Sequence, residues 1–311
     1  MNGSFKVYVS CMTYNQSAYI KDALDGFCKQ QTSFPFVCGI IDDASTDGEA
    51  KVIRDYLDEH FELSDSTVVK RDETDDYLRI FARHKDNKNC FFAVVFLKYN
   101  HYRKRSKDPY VAEWKEKAQY IALCEGDDFW IDPNKLLKQV NFMECHPEHS
   151  LCFCAHKELY ITGRVVLNQR YDSDKDVCPI EDIILGGGGY MATNSMLFRR
   201  SLYVPYQSWA EGCPVGDLPT MLSLSNQGKV GYLSDVMCVH RHLSKGSWTS
   251  IMASSLKRRR NHNKAIIRMW KQFDRWSDRR YHSLVLKKIQ GIRINYIKDE
   301  LLTAINYLLK K

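Results

Sequence analysis

Apolar runs at 5–14 (FKVYVSCMTY), 34–41 (FPFVCGII), 91–97 (FFAVVFL) and 120–124 (YIALC) mark the first 130 residues as strand-forming stretches. Helical spacing lies between them. In 17–31 the apolar positions Ile20, Ala23, Leu24 and Phe27 fall on one helix face, with Ser17 placed as an N-cap, and 49–61 repeats the pattern behind Thr46 or Asp47. The stretch 62–90 is less regular. Strands with little polar alternation, separated by helices, predict a mostly parallel sheet covered on both faces. Past Pro133 the pattern predicts a helix ended by Pro147, strands at LCFCAH and NSMLF, and a glycine loop at 184–192. A helix, turn and strand follow across 216–233, then long helical segments from about Ser250.

Three of the early strands run into polar residues: Thr13-Tyr14-Asn15, the DDASTD of 42–47, and the EGDD of 125–128. Parallel strands carry these ends to one edge of the sheet, where ligands of open α/β sheets bind. Adjacent carboxylates repel unless a cation lies among them, and hard oxygen donors suit Mn2+ or Mg2+. The competing role is a helix N-cap, which is the one expected of Asp132 directly before Pro133. Two such strand ends point to a nucleotide lying across the edge, with its base and ribose at one cluster and its diphosphate at the other. No G-x-G-x-x-G follows the first strand and no P-loop motif occurs, so phosphate would be held by metal and side chains.

Composition adds little until charge is divided along the chain. Residues 251–311 hold 16 Lys+Arg against 4 Asp+Glu, which leaves 29 against 34 elsewhere, so the net charge of +7 belongs to the tail. Such a tail suits an anionic partner. Eleven cysteines, an odd number without C-x-x-C pairs and several within apolar runs, read as buried free thiols in a reduced compartment. The opening MNGSFKVYVSCMTYN has no leader-like pattern, and no apolar run is long enough to span a bilayer.

The segments VSCMTYNQSAYIKDALDGFCKQQ, FVCGIIDDASTDGEAKVI and YIALCEGDDFWIDPNKLLKQVNFMECHPE, taken in order, resemble a family 2 glycosyltransferase of the GT-A fold and bacterial surface-polysaccharide type, over about residues 4–250. The resemblance implies a Rossmann-like, mostly parallel sheet flanked by helices in 1–248, and a basic helical extension in 249–311. It implies a UDP-sugar or other nucleotide-diphosphate sugar donor, a divalent metal, and inverting transfer to a hydroxyl of a saccharide or lipid-linked saccharide. Thr13, Tyr14 and Asn15 fall where that family meets the base, and Asp43 where it hydrogen-bonds the base, with Asp42 beside it. Glu125 takes the first place of the D-x-D pattern, a departure from Asp. Asp127 and Asp128 then serve ribose and metal, Asp128 foremost as ligand.

The same resemblance makes Asp217, in PVGDLPTML, the general base, and an N-cap role is compatible with that. VHRHLSKGSW resembles the family's Tyr-Arg-x-His stretch. It assigns Arg241 to the diphosphate through its fork geometry and His242, or His240, to the metal. Trp209, Tyr190 and Trp248 are candidates to stack on a sugar or to pack in the core. The apolar face formed by Ile266, Ile267, Met269, Trp270 and Phe273 on the basic tail suits either anionic lipid or the catalytic domain. These readings place a hexosyltransferase in the cytoplasm, without nucleic acid, and leave peripheral contact with the inner face of the plasma membrane as one of the two roles open to the tail. The alternatives are a sugar nucleotidyltransferase and a non-catalytic basic protein that binds nucleic acid or membrane.

Overall fold

The structure, a computed structural model, describes residues 5–64, 69–102, 104–205, 207–242, 252 and 255–308. The chain begins with β1 (Val7–Thr13), α1 (Ile20–Cys28), β2 (Phe36–Asp42), α2 (Glu49–His60), β3 (Lys70–Glu73), β4 (Tyr77–Arg83) and β5 (Cys90–Leu97). It continues through α3 (Ala112–Lys115), β6 (Tyr120–Leu123), β7 (Phe129–Trp130), α4 (Lys135–Cys145), β8 (His149–Tyr160), β9 (Val165–Asn168) and α5 (Ile180–Gly186). The last elements are β10 (Leu197–Arg199), α6 (Asp217–Gln227), β11 (Lys229–His242), α7 (Leu256–Trp276) and α8 (His282–Leu308).

All strands join one sheet in the order β3-β4-β5-β2-β1-β6-β10-β8-β11-β7, with β9 paired to β8. Its centre, β5-β2-β1-β6, is parallel, and antiparallel strands extend it on both sides. Alternation along β1 divides the interior. Val7, Val9 and Cys11 face Leu24 and Phe27 of α1, Ile53 and Leu57 of α2 and Leu136 of α4. Tyr8, with Val37 and Ile41 of β2, faces the layer built by α3, α5, α6, α7 and α8. Both faces of the central strands are therefore buried, which is why their sequences read as continuous apolar runs.

Several sequence expectations change. The stretch 62–90 contains the β3–β4 hairpin, whose edge strand is polar and so carries no apolar signal. The four glycines of 186–189 end α5 and continue as a 3-10 turn instead of a loop. Ser17 does not cap α1: its N–H donates to Asp47 Oδ2 at 2.9 Å. At the start of α2 the N-cap is Gly48 with φ of +92°, a conformation that favours glycine, while Asp47 Oδ1 accepts the Glu49 N–H at 3.1 Å. All eleven cysteines are free thiols. Among the described residues no helix is long and apolar enough to cross a membrane. The expected boundary at 248/249 lies outside the described residues.

The tail is not a free arm. Ile266, Met269, Trp270 and Phe273 of α7 and Val285 and Ile289 of α8 are buried in the same core as Leu218 and Met221 of α6. Trp209 packs against Phe273 and Trp276 at centroid separations of 5.5 and 5.2 Å.

Candidate functional site

The ends of β1 and β2 are tied together by Glu49, the first residue of α2. Its carboxylate accepts the Thr13 hydroxyl, the Gln16 N–H at 2.9 Å and the Ser45 hydroxyl at 2.8 Å. Asn15, at φ of +56°, donates its N–H to Ser45 Oγ and accepts the Thr46 N–H through Oδ1. Ala44, at φ of +60°, is held in a left-handed conformation that a non-glycine residue adopts only under constraint. Asp42 accepts the Ser45 N–H at 3.0 Å and so serves the turn itself, with burial raising its pKa. Tyr14 stands exposed above this network.

Asp43 is buried between β2 and the segment after β5. Its carboxylate accepts the His101 N–H at 2.7 Å and pairs with Lys107 Nζ at 2.9 Å, and its carbonyl accepts Asn100 Nδ2 at 3.0 Å. The basic stretch 98–110 thus supplies the cation for Asp43.

The EGDD turn after β6 lies directly against the end of β1. Gly126 donates its N–H to the Met12 carbonyl at 3.2 Å. A Cβ on Gly126 would come within 2.3 Å of Thr13 Oγ1 and 2.5 Å of Gln16 Oε1, so only glycine permits this approach. The two acidic clusters consequently share one edge of the sheet. Cys11, beneath them on β1, records both: after burial, the charges raising its thiol pKa come from Glu49, Glu125, Asp127 and Asp128.

Asp128 is almost fully buried, with Oδ1 accepting the Arg241 N–H at 2.8 Å and Oδ2 lying 3.0 Å from His240 Nδ1. Burial alone would lower the His240 pKa, but Asp128, Asp127 and Glu125 outweigh it and push the imidazole up to about 9. Glu125 opens to the solvent of the cleft yet is densely surrounded by protein. Desolvation first, then Asp127, Asp128 and Asp217, push its carboxyl up to about 8. Asp217, the first residue of α6, lies close enough to interact with Glu125 and His240. Its pKa is raised by burial and restrained by the N–H groups of Leu218 and its own backbone.

The donor set fits a divalent cation chemically. Three carboxylates at one turn, where desolvation and then the neighbouring charges push the Glu125 pKa up to about 8, offer the hard oxygens that Mg2+ and Mn2+ take. His240, in contact with Asp128, precedes His242, whose ring packs on Tyr160 at 4.9 Å and lies 6.4 Å from that of His240.

No protein-family model matches the chain. Uncharacterized proteins of Mycobacterium bovis and Mycobacterium tuberculosis are 29% identical over 248 residues, covering 77% of this chain and 59% of theirs. The chain thus spans less than two thirds of these relatives. Among solved structures it is similar to TarS of S. aureus in complex with UDP-GlcNAc, with a TM-score of 0.57, 17% identity, and coverage of 86% of this chain and 66% of that one. It is also similar to the mannosyltransferase PcManGT from Pyrobaculum calidifontis in complex with GDP-Man and Mn2+, with a TM-score of 0.51, 14% identity, and coverage of 100% of this chain and 82% of that one.

The architecture is the GT-A fold. On its acidic edge the structure gathers Thr13, Tyr14, Asn15, Asp42, Asp43, Asp127, Asp128 and Asp217, together with Glu125 and His240. Arg241 differs from expectation. Its fork is already committed to Asp22 of α1 and, at 2.7 Å, to the Asp127 carbonyl, with Tyr19 and Phe129 against its faces. Side chains alternate along β11, so Arg241 leaves the strand on the face opposite His240 and clamps the EGDD turn onto α1. Of the aromatic candidates, Trp209 and Tyr190 are core residues, the latter with its hydroxyl 2.7 Å from that of Tyr171. Trp248 lies outside the described residues. Sequence reasoning passed over Glu49, His101 and Lys107; the one local signal was a carboxylate opening an amphipathic helix straight after DDASTDG. A cavity of about 230 Å3, lined by Lys70, Arg79, Glu113 and Trp114, sits at the β3–β4 end of the sheet and holds ion pairs instead of a catalytic grouping.

Proposed function

We propose that the chain is an inverting glycosyltransferase of the family 2 type that moves a hexose from UDP-sugar or another nucleotide-diphosphate sugar to a hydroxyl of a saccharide or lipid-linked saccharide. One observation carries the reading: Glu125, Asp127, Asp128 and Asp217 form a mutually interacting acidic group beside the β1 and β2 ends of a GT-A sheet. The complexes of TarS with UDP-GlcNAc and of PcManGT with GDP-Man and Mn2+ support it.

In this proposal Thr13, Tyr14, Asn15 and Asp43 form the base and ribose side. Asp42 shapes their turn and Arg241 positions Asp127 and Asp128. Asp128 and Asp127, with His242 or the nearer His240, would hold Mn2+ or Mg2+. Bound there, the ion supplies positive charge to the departing nucleoside diphosphate. Burial makes the Asp217 carboxylate a better proton acceptor than a solvated one. It takes the proton of the acceptor hydroxyl as that oxygen bonds to the anomeric carbon, and the bond from that carbon to the diphosphate oxygen breaks with inversion. We further propose work on the cytosolic side in bacterial surface-polysaccharide assembly. Membrane contact would fall to α8, where Leu286, Ile294, Ile297 and Leu301 remain exposed among basic residues, because the apolar face of α7 is buried.

A thermal-shift screen of nucleoside diphosphates and their sugars, with and without Mn2+, tests the reading. A metal-dependent shift confined to one base, together with release of that diphosphate when acceptor saccharides are added, is the expected result. No shift with any nucleotide would overturn it.

A further inference from the structure

On the edge of the sheet opposite the acidic cleft, α4 ends at Cys145 and β8 begins at His149. The turn between them, closed by the His149 N–H donating to the His146 carbonyl at 3.0 Å, brings two imidazoles and a carboxylate to one point. Among the described residues, His146, Glu148 and His149 are the one set of three or more His, Cys, Asp or Glu whose ligand atoms all lie within 4.8 Å of one another.

His149 is the informative member. It is 1% exposed, and its Nδ1 has no hydrogen-bond partner. Its Nε2 meets the Asp176 carbonyl, which can only accept, so Nε2 carries the hydrogen and Nδ1 presents a lone pair. That lone pair faces Glu148 Oε1 at 3.5 Å, and the same oxygen lies 3.9 Å from His146 Nδ1. Both atoms present lone pairs to the same space, at the margin between the buried His149 and the half-exposed Glu148, where a cation can be held.

We propose that His146, Glu148 and His149 form a metal site that takes Zn2+, with the fourth position left to water. Ligands around tetrahedral zinc stand about 3.3 Å apart, given metal–ligand bonds of about 2.0–2.1 Å. The separations here approach that value, and the remaining closure falls to His146 and Glu148, whose side chains are partly exposed and free to turn. His149 is the fixed point. Its hydrogen bond to a backbone carbonyl is the outer contact that orients metal-binding histidines. Arg199 holds the backbone on both sides, donating Nε to the His149 carbonyl at 2.7 Å and Nη2 to the His146 carbonyl at 3.1 Å. The Phe142 ring walls the site, with centroids 4.5 and 5.2 Å from the two imidazoles. Lys229, 3.6 Å from Glu148 Oε1, competes for the carboxylate, but its half-exposed side chain swings clear when a stronger cation binds.

The test uses the full metal-stripped chain and Zn2+ alone, in competition with a chromophoric chelator. A background of Asp128→Asn weakens the acidic cleft so that the two sites are told apart. One equivalent is expected to remain bound in that background. Adding His146→Ala, at a partly exposed position, is expected to lower the affinity at least tenfold and to abolish the visible absorption of bound Co2+, with circular dichroism unchanged. Absence of stoichiometric binding in the Asp128→Asn chain, or equal affinity with and without His146→Ala, would overturn the proposal.

Discussion

His240 and Asp128 are 112 residues apart in sequence, and their side chains meet at 3.0 Å across the junction of β11 with the turn after β6. This contact joins the last long strand to the acidic edge, and it gives Asp128 a positively charged partner. A metal ion entering the cleft would have to take over that role. Asp128→Asn is therefore expected to abolish the Mn2+-dependent thermal shift with the cognate nucleoside diphosphate while leaving the fold intact by circular dichroism.

Asp217→Asn keeps the size and much of the hydrogen bonding of the residue but removes its ability to take a proton. Loss of general-base catalysis typically costs on the order of 10²–10⁴ in rate. In a transfer assay kcat should fall by about that factor with donor KM nearly unchanged. Unchanged kcat would remove Asp217 from the role.

The pH dependence of the metal-free chain follows from two raised pKa values. Glu125 is pushed up to about 8 and His240 to about 9, both above their unfolded values. As pH rises, the unfolded chain gives up these protons first and the folded chain retains them. The associated stability is thus complete below about pH 4.5, the ordinary glutamate value, and is lost progressively as pH climbs from there to about 9. The melting temperature should decline over that range, and the decline should flatten in Glu125→Gln. Saturating Mn2+ should flatten it as well, by supplying the missing positive charge.

Gly126→Ala would drive a methyl group into Thr13 and Gln16. Overpacking of this kind costs about 1–3 kcal/mol. Because the strain falls where the two acidic clusters meet, nucleotide affinity should drop along with the melting temperature. Calorimetric titration with the cognate diphosphate measures the first and thermal unfolding the second.

Trp270 is fully buried where α7 meets the GT-A core. Truncating a buried tryptophan costs about 3–5 kcal/mol, so Trp270→Ala should show that loss in urea unfolding of the whole chain. A change below about 1 kcal/mol would mean that the tail contributes little to the folded domain.

Residue pattern alone determined the central sheet and the edge where its chemistry gathers. Continuous apolar runs are what strands buried on both faces require, and a carboxylate directly after such a run has to emerge at the strand's end. What the tertiary structure decided depends on partners far away in sequence. Asp43 meets His101 and Lys107 only because β5 lies beside β2, and Arg241 turns away from the cleft because the register of β11 places it opposite His240. The apolar face of α7 suited lipid and protein equally, and the choice came from the complementary surface that Trp209 and α6 present. Hydrophobicity has no direction: it marks which residues leave water, and only the packed chain settles what they touch.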